Sequence, residues 1–365
     1  MLLCANRNQL ANAIVLASLL LLLNGKALGE PENLMEETWN SGWSFHLDND
    51  FLALLNEDQQ YTGGASVELS GRRAREWDFS ADPLLAWIDR LTGMERRMAS
   101  GDDDMRHSMI LGLAAFTPED IESPQPILDD HPYGSLVLFG NTRQSVDPSR
   151  NVAYRSSLVL GLLGTNLAES LQDFFHDLVD TQKAQGWDNQ ISDGGELTGR
   201  YEVSRHQLIQ STPLSENRRL ESRWKINASA GYVTQVGVGA TARWGKFDEQ
   251  WFRFDPAPGE YVAYGAPATK PQSPSANREW FFWTSLEASL RLYNALLQGQ
   301  FRDSAVTFSR GELRELITEA SVGVTAELFS TGLRGEFSIS YRTSEIKESL
   351  ADDALWGQIS LTRSF

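Results

Sequence analysis

Two short polar stretches, separated by one loop, carry residues that could bind a cation. Asn49 and Asp50 lie at the end of a predicted strand, Trp43 to Leu52, and Thr62 begins the next, Thr62 to Arg72. The two strand ends would bring carboxylate, amide and hydroxyl oxygens together. Such oxygens, among them those of Asp50 and Asn49, suit a hard cation such as Ca²⁺. The alternative is ordinary, because Asn, Asp and Gly are also common turn residues.

A histidine further along the chain could act as a general base. Residues 166–180 predict a helix with one apolar face, made of Leu167, Leu171, Phe174, Phe175 and Leu178. Its polar face contains Glu169, Gln172, Asp173 and His176. A neutral histidine can take a proton from water near neutral pH. The simpler alternative for His176 is a solvated helix-surface histidine, and we interpret the other four, His46, His107, His131 and His206, as structural or surface groups.

Alternating apolar and polar residues dominate the rest of the chain and predict the strands that position these side chains. Leu333 to Arg342 is the clearest segment. A soluble sandwich and a membrane barrel share this period, so the alternation alone fits both. The last strand, Leu355 to Phe365, favours the barrel, because it is similar to the terminal sorting signal of bacterial outer-membrane barrels. Arg363 departs from its apolar parity, at a cost of about 0–1 kcal/mol near the membrane interface.

The strands together predict an all-β fold, an antiparallel transmembrane β-barrel of about 12 strands with a short helical insertion near 166–180. The remaining strand candidates are Arg106 to Phe116, Tyr133 to Gly140, Val152 to Gly164, Glu196 to Leu208, Arg219 to Gly231, Tyr232 to Gly245, Glu279 to Tyr293, Ala295 to Arg302 and Arg314 to Phe329. The total is 12 or 13, and a barrel is expected to have an even number. An amphipathic segment, Pro83 to Leu91, is expected to cap the barrel or to lie on it.

The start and composition of the chain predict an exported protein. A positive residue, a short apolar core and small residues near Gly29 predict a signal peptide over residues 1–29, which leaves 30–365 as one outer-membrane barrel with an active-site insertion. The only cysteine, Cys4, lies in that peptide, which excludes disulfides and thiolate metal sites from the rest. A net charge of −17 makes the chain a poor nucleic-acid binder. We expect a monomer.

Six motifs, in order along the chain, give it a family resemblance. They are Asn49-Asp50, Tyr61-Thr62-Gly63-Gly64, Phe116-Thr117-Pro118-Glu119-Asp120, Pro132-Tyr133-Gly134, Phe175-His176 and Gly186-Trp187-Asp188-Asn189-Gln190. With these motifs on an exported, strand-rich chain, the protein resembles the outer-membrane lipid A 3-O-deacylases of the LpxR type. The motifs span roughly residues 41–210, and the strand pattern extends the likeness over the rest.

The resemblance implies an activity and a set of site residues. The family uses Ca²⁺ to hydrolyse the ester-linked 3′ acyl (acyloxyacyl) group of lipid A, the lipid anchor of lipopolysaccharide, in the outer leaflet of the outer membrane. Asn49, Asp50 and Thr62 match the family's active-site Asn, Asp and Thr, and His176 matches its catalytic histidine. With Ca²⁺ held by Asp50 and Asn49 as the electrophile, we expect attack by a water that His176 activates; Thr62 as nucleophile is the less favoured alternative.

One departure from the family leaves other functions open. The family site includes a lysine before the catalytic histidine, whereas the first lysine after the signal peptide here is Lys183. Arg143, Arg150 or Arg155 could substitute, although arginine does not replace lysine freely. The alternatives are a catalytically inactive relative, a passive porin-like or structural barrel, and an outer-membrane phospholipase, whose Ser-His-Asn pattern is not found in this sequence.

Overall fold

The chain forms a closed barrel of 12 antiparallel strands, which confirms the predicted fold class. A computed structural model describes residues 37–53, 62–98, 105–170, 172, 184–215, 217–256, 278–328, 333–347 and 353–364. The predicted signal peptide, His176 and the terminal Phe365 lie outside the described residues. Neighbouring strands in the sequence are neighbours in the sheet, and the last strand pairs with the first.

The strands range from 8 to 20 residues. They are β1 Gly42–Asn49, β2 Gly63–Ser70, β3 Met105–Phe116, β4 Gly134–Asp147, β5 Val152–Leu163, β6 Glu196–Ser215, β7 Arg218–Gly231, β8 Val233–Lys246, β9 Trp280–Asn294, β10 Leu316–Leu328, β11 Leu333–Arg342 and β12 Ala354–Ser364. Four α-helices are described within named bounds, α1 Arg73–Glu76, α2 Asp82–Thr92, α3 Glu95–Met98 and α4 Ala295–Gln298.

The two ends of the barrel differ, and we name them by what lies there. At the terminal end, Gly42 of β1 pairs with Ser364 of β12. At the site end, Asn49 of β1 pairs with Gly357 of β12 on one side and with Gly63 of β2 on the other. Helices α1 to α3 connect β2 to β3 at the terminal end, and α4 follows β9 at the site end.

The outside of the barrel is apolar and the inside is charged, which is the pattern of a membrane barrel rather than a soluble sandwich. Along β9 the exposed set contains Phe282, Leu286, Leu290 and Leu292, while the alternate set, including Glu287 and Arg291, is buried. Ten residue steps of a strand tilted about 40° rise about 25 Å, the height of the apolar band of an outer-membrane barrel. Because β11 shows the same inversion, the apolar exterior extends round the sheet.

The lumen is filled at both ends by side chains. At the site end a buried apolar cluster closes it, contributed by Ile110, Ala114, Phe116, Leu136, Leu138, Val159, Leu163, Tyr232, Val233, Ala295, Leu296, Ala354 and Trp356. At the terminal end residues 247–256 turn back into the lumen, where Gln144 Nε2 donates to the carbonyl of Phe252 at 3.1 Å. Between these ends lie ion pairs such as Lys225–Glu287 at 2.7 Å.

Two helical regions require separate comment. The predicted strand Ala295 to Arg302 is wrong, because Asn294 accepts a hydrogen bond from Leu296 N and starts α4, and Gly299 ends it at φ 68°. The predicted amphipathic segment Pro83 to Leu91 lies within α2, on the outer wall of the barrel, as expected. No helix among the described residues has the length and hydropathy to cross a membrane.

Candidate active site

Asn49 lies on the outer, lipid-facing wall of the barrel at the site end. The lumen set of β1 is Ser44, His46 and Asp48, all buried, and Asn49 has the opposite parity. On β2 it pairs with Gly63, which in turn pairs with Ala115 of β3. A Cβ added to Gly63 would lie 3.1 Å from Asn49 Nδ2 and 2.6 Å from the carbonyl oxygen of Asp48. Any residue larger than glycine would therefore clash at this position beside the Asn49 side chain.

A short hydrogen-bonded chain joins the three strands at this point. Asn49 Nδ2 donates to the backbone carbonyl of Thr62 at 2.6 Å. The hydroxyl of Thr62 is 2.7 Å from the hydroxyl of Thr117, and both threonines are buried. Asp50 directly follows Asn49 and is 5 % exposed. The predicted site residues Asn49, Asp50 and Thr62 are thus brought to one corner of the barrel rim, and Thr117 joins them.

Two segments cover the wall on either side of Asn49. On one side the 3-10 turn Asp50–Ala53 lies over β12, where a Cβ on Gly357 would be 2.5 Å from the carbonyl carbon of Leu52. On the other side Ala115 is covered by a cluster built from Tyr133, Ala168 and Trp187. Since three strand spacings separate Gly357 from Ala115, the covered positions are about 14 Å apart. Asn49 and Gly63 are the two positions between them.

The cluster on Ala115 also fixes the start of the predicted histidine-bearing helix. Residues 167–170 and 172 are helical, as predicted, and Ala168 packs on Trp187. Gln172 Oε1 accepts a hydrogen bond from Trp187 Nε1 at 2.8 Å. A Cβ on Gly186 would lie 2.4 Å from Tyr133 Cε2, so the Gly-Trp pair must keep its glycine to pack here. Two sequence motifs quoted above therefore meet at the base of this helix.

The loop between β3 and β4 is held by Asp130. Its two carboxylate oxygens accept from the backbone N–H groups of Glu119 at 2.7 Å and His131 at 2.6 Å. His131 Nδ1 donates to the carbonyl of Pro132 at 2.8 Å, and the ring stacks on Phe116. Burial lowers the pKa of His131 more than its hydrogen bond to Pro132 raises it. His131 is a buried structural group on the lumen side, as interpreted from the sequence.

The other histidines and the proposed replacement arginines do not belong to this site. His46, His107 and His206 are all buried in or on the wall, which fits the structural interpretation. The three arginines lie towards the terminal end, where Arg143 pairs with Asp82 and Asp89, Arg155 pairs with Asp255, and Arg150 is in the turn after β4. The expectation that Arg143, Arg150 or Arg155 replaces the family lysine is wrong, because each is more than half a strand away from Asn49.

Two participants were not singled out from the sequence as site residues. Thr117 occurs in a quoted motif, but its contact with Thr62 depends on the register between β2 and β3. Gln172 was placed on the polar helix face without a partner, and Trp187 proves to be that partner. Asn189 Nδ2 donates to the carbonyl of Pro124 at 3.1 Å, and Asp188 is exposed, so this pair shapes the loop.

The oxygen atoms of Asn49, Asp50 and Thr62 are of the type that a hard cation prefers, but they are too few to complete its coordination. The described residues contain no group of three or more His, Cys, Asp and Glu side chains that could hold a metal ion. Asp50 supplies one carboxylate, and Asn49 directs its amide nitrogen to Thr62, which turns the amide oxygen to the other side. Ca²⁺ takes six to eight oxygen ligands, so water, substrate or residues outside the described ranges would have to supply the remainder.

A closed 12-strand barrel with an apolar exterior and a charged, filled lumen defines an integral outer-membrane protein. The family model described as "Outer membrane protein LpxR" matches residues 14–365. The chain belongs to the LpxR family.

One of the solved structures similar to this chain, the first below, agrees on the fold. LpxR from Salmonella typhimurium has a TM-score of 0.68 and 17 % sequence identity, and the match covers 89 % of this chain and 100 % of that one. An outer membrane channel from Pseudomonas putida F1 gives a TM-score of 0.41 at 9 % identity, covering 93 % of this chain and 100 % of the channel. The beta domain of the Bordetella autotransporter Brka gives 0.40 at 11 % identity, covering 90 % and 100 %. None of the curated proteins compared matches this chain.

Proposed function

We propose that this protein hydrolyses the ester that links the 3′ acyl (acyloxyacyl) group to lipid A in the outer leaflet of the outer membrane. Membership of the LpxR family supports a lipid A deacylase. The observation that carries the proposal is the position of Asn49, which faces lipid between two covered segments of the wall. We also propose that residues 1–29 are removed on export and that the barrel acts as a monomer.

The position of Asn49 suits a substrate that arrives through the membrane. An acyl chain already in the leaflet can approach the half-buried Asn49 by lateral movement along the outer wall. A substrate in the lumen would meet the apolar cluster around Phe116 and Trp356, both fully buried. The passive-pore alternative requires an open lumen, whereas both ends of this one are filled by side chains.

In the proposed reaction His176 is the general base. It takes a proton from a water molecule while the water oxygen bonds to the ester carbonyl carbon. It then returns the proton to the sugar oxygen as the carbon–oxygen bond breaks, which releases the fatty acid. Asp50 and Asn49 would hold Ca²⁺, which when bound supplies electrostatic stabilisation of the negative oxygen.

The hydrogen bonds of the two threonines support a positioning role for Thr62. A nucleophilic hydroxyl needs a base within hydrogen-bond reach. Among the residues that the structure describes, the neighbour of the Thr62 hydroxyl is the hydroxyl of Thr117, which is not a base. Thr62 therefore suits a role in which its carbonyl fixes the Asn49 amide and its hydroxyl completes the rim, with water as the nucleophile.

The test is mass spectrometry of lipid A after incubation with the purified, folded barrel, in Ca²⁺ and in chelator. The expected result is loss of the 3′ acyl group in Ca²⁺ and not in chelator. His176→Ala is expected to abolish the loss, whereas Arg150→Ala, in an exposed turn at the terminal end, is the matched control and keeps it. Unchanged hydrolysis by His176→Ala would refute the assignment of the base.

Two further outcomes separate the alternatives. Release of fatty acid from phospholipid but not from lipid A would indicate a phospholipase. No hydrolysis of either substrate by a folded barrel that binds Ca²⁺ would indicate an inactive relative. Single-channel recording in a planar bilayer tests the passive-pore alternative. A passive pore would give steady conductance, and the filled lumen argues against such a pore.

A further inference from the structure

Helix α2 lies on the outer wall of the barrel with its acidic face towards the barrel. Asp82 and Asp89 are buried, with 4 % and 0 % exposure. Asp89 accepts from Ser156 Oγ at 2.8 Å, from Tyr201 OH at 2.8 Å and from Arg143 Nη1 at 3.3 Å. These partners belong to β4, β5 and β6, so the helix is fixed across three strands.

The strand residues under α2 form a polar row on a wall that is otherwise apolar. In the strand register His107 of β3 lies opposite Arg143 of β4, and Arg143 lies opposite Ser156 of β5. Each of them has the outward parity of its strand. All three are buried although they point away from the lumen. One further contact extends this row, because Asn141 Oδ1 accepts from Ala81 N at 2.9 Å. The helix therefore covers polar groups that lipid could not solvate.

The opposite face of α2 is apolar and exposed. Leu84, Trp87 and Leu91 lie three and four positions apart on one face and are 42 %, 54 % and 67 % exposed. Phe79, just before the helix, is 63 % exposed. On the surface of a soluble protein the two faces would be reversed, with the acids outside and the leucines inside.

The exposed face continues the lipid-facing band of the barrel. The Phe79 ring lies 6.2 Å from the ring of Phe139, which has the outward parity of β4. Phe139 pairs with Leu111 on β3 and with Leu160 on β5, and those leucines are 53 % and 42 % exposed. The apolar wall thus passes through Phe79 onto α2 without a polar gap.

Exposed arginines flank this apolar face. Arg72 and Arg90 are paired with Glu76 at 3.4 Å and Glu95 at 3.9 Å, and α3 exposes Arg96 and Arg97. Arginines beside an apolar helix face suit the phosphate level of a lipid leaflet. They stand out in a chain whose net charge is −17.

We propose that α2 is embedded in the phospholipid leaflet at the terminal end of the barrel, with Leu84, Trp87 and Leu91 among the acyl chains and the flanking arginines at the phosphates. An even number of strands places both chain ends on one side, which is the periplasmic side in outer-membrane barrels. The partner surface is therefore the inner, phospholipid leaflet, opposite to the leaflet of the proposed substrate. This inference rests on the barrel and its wall, and it stands whether or not the chain is a deacylase.

Site-directed spin labelling tests the lipid contact. Replacing Cys4 by Ser leaves no other cysteine, so a single label can be placed on the full chain. Labels at Leu91→Cys and Trp87→Cys are compared, in vesicles of phosphatidylethanolamine and phosphatidylglycerol, with Leu111→Cys in the barrel band and with Arg150→Cys in an aqueous turn. The expected result is oxygen accessibility as high as that of the Leu111 label and nickel accessibility severalfold below that of the Arg150 label.

Two results would overturn the proposal. Nickel accessibility equal to that of the Arg150 label would place the face in water, and low accessibility to both reagents would indicate that protein, such as a second copy, covers it. The leaflet is tested separately with a membrane-impermeant maleimide on Arg150→Cys. Reaction is expected only after the outer membrane is opened, and reaction in intact cells would refute the periplasmic assignment.

Discussion

Asn49→Asp tests whether Asn49 acts through its amide N–H or only as a cation ligand. The two side chains have the same shape, but a carboxylate cannot donate to the Thr62 carbonyl, which lies 2.6 Å from Asn49 Nδ2. The substitution removes one hydrogen bond and sets two oxygen acceptors against each other. Leaving a buried carbonyl without its partner costs about 1–3 kcal/mol. If that cost appears in the transition state, kcat/KM falls by about 5-fold to 150-fold.

The assay is the initial rate of lipid A deacylation as a function of Ca²⁺ concentration. We expect Asn49→Asp to remain slow at saturating Ca²⁺, because added cation does not restore a donor to Thr62. A variant that is active, and that needs less Ca²⁺ than the original chain, would refute the reasoning and show that Asn49 is only an oxygen ligand. Asn189→Asp is the matched control, since Asn189 Nδ2 also donates to a backbone carbonyl, that of Pro124 at 3.1 Å, away from Asn49 and Thr62.

Three other predictions concern the support of the site and the wall. Trp187→Phe loses the donor to the buried Gln172 and puts a smaller ring into a buried cluster, so the free energy of unfolding is expected to fall by about 1–3 kcal/mol and kcat by up to about fivefold, with KM unchanged. Asp89→Ala leaves a buried ion-pair network unpaired and is expected to lower the free energy of unfolding by about 3–5 kcal/mol in lipid vesicles, whereas exposed Glu95→Ala changes it little. Burial lowers the pKa of His131, so the unfolded chain binds the proton first as pH falls below about 6.5 and stability decreases there. Denaturant titrations of His131→Gln between pH 7 and pH 5 should show a shallower decrease, and an equal slope would contradict this.

The sequence predicts the strands well because a period of two residues records which face is in lipid and which is in the lumen. The sequence predicts the strands poorly where the outer wall is covered by protein instead of lipid. Tyr133 to Gly140 is predicted as a short strand, yet β4 continues to Asp147. In the second half of β4 the outward residues Asn141 and Arg143 are polar, because α2 covers them. The alternation of apolar and polar residues therefore ends before the strand does.

The strand predicted over Ala295 to Arg302 fails for a different reason. A short apolar run fits a strand or a helix equally, and only the residues around it decide. Asn294 is a good helix cap and Gly299 adopts the left-handed region, so both boundary signals of α4 are local. Weighing those caps against the apolar run would have removed the odd strand and left the even number.

The candidate site was predictable where its residues are adjacent in sequence and not where they meet through the sheet. Asn49 and Asp50 are neighbours, and a hairpin brings Thr62 back to them. Thr117 and Trp187 reach the site only through the strand register and through a loop that returns over β3. Local spacing carries no record of these contacts.

The filled lumen and the outward position of Asn49 together constrain the source of the water that the proposed reaction consumes. Water cannot be delivered along the lumen to Asn49, because Asn49 is on the other side of the wall and Phe116 is part of the cluster that closes the site end. The remaining route is the aqueous surface above the rim, over the loops that follow β1 and β3. A site with lipid on one side and that surface above it can receive the acyl chain and the water from different directions. In the proposed reaction the charged lumen then serves the stability of the barrel, and the catalytic chemistry belongs to its exterior.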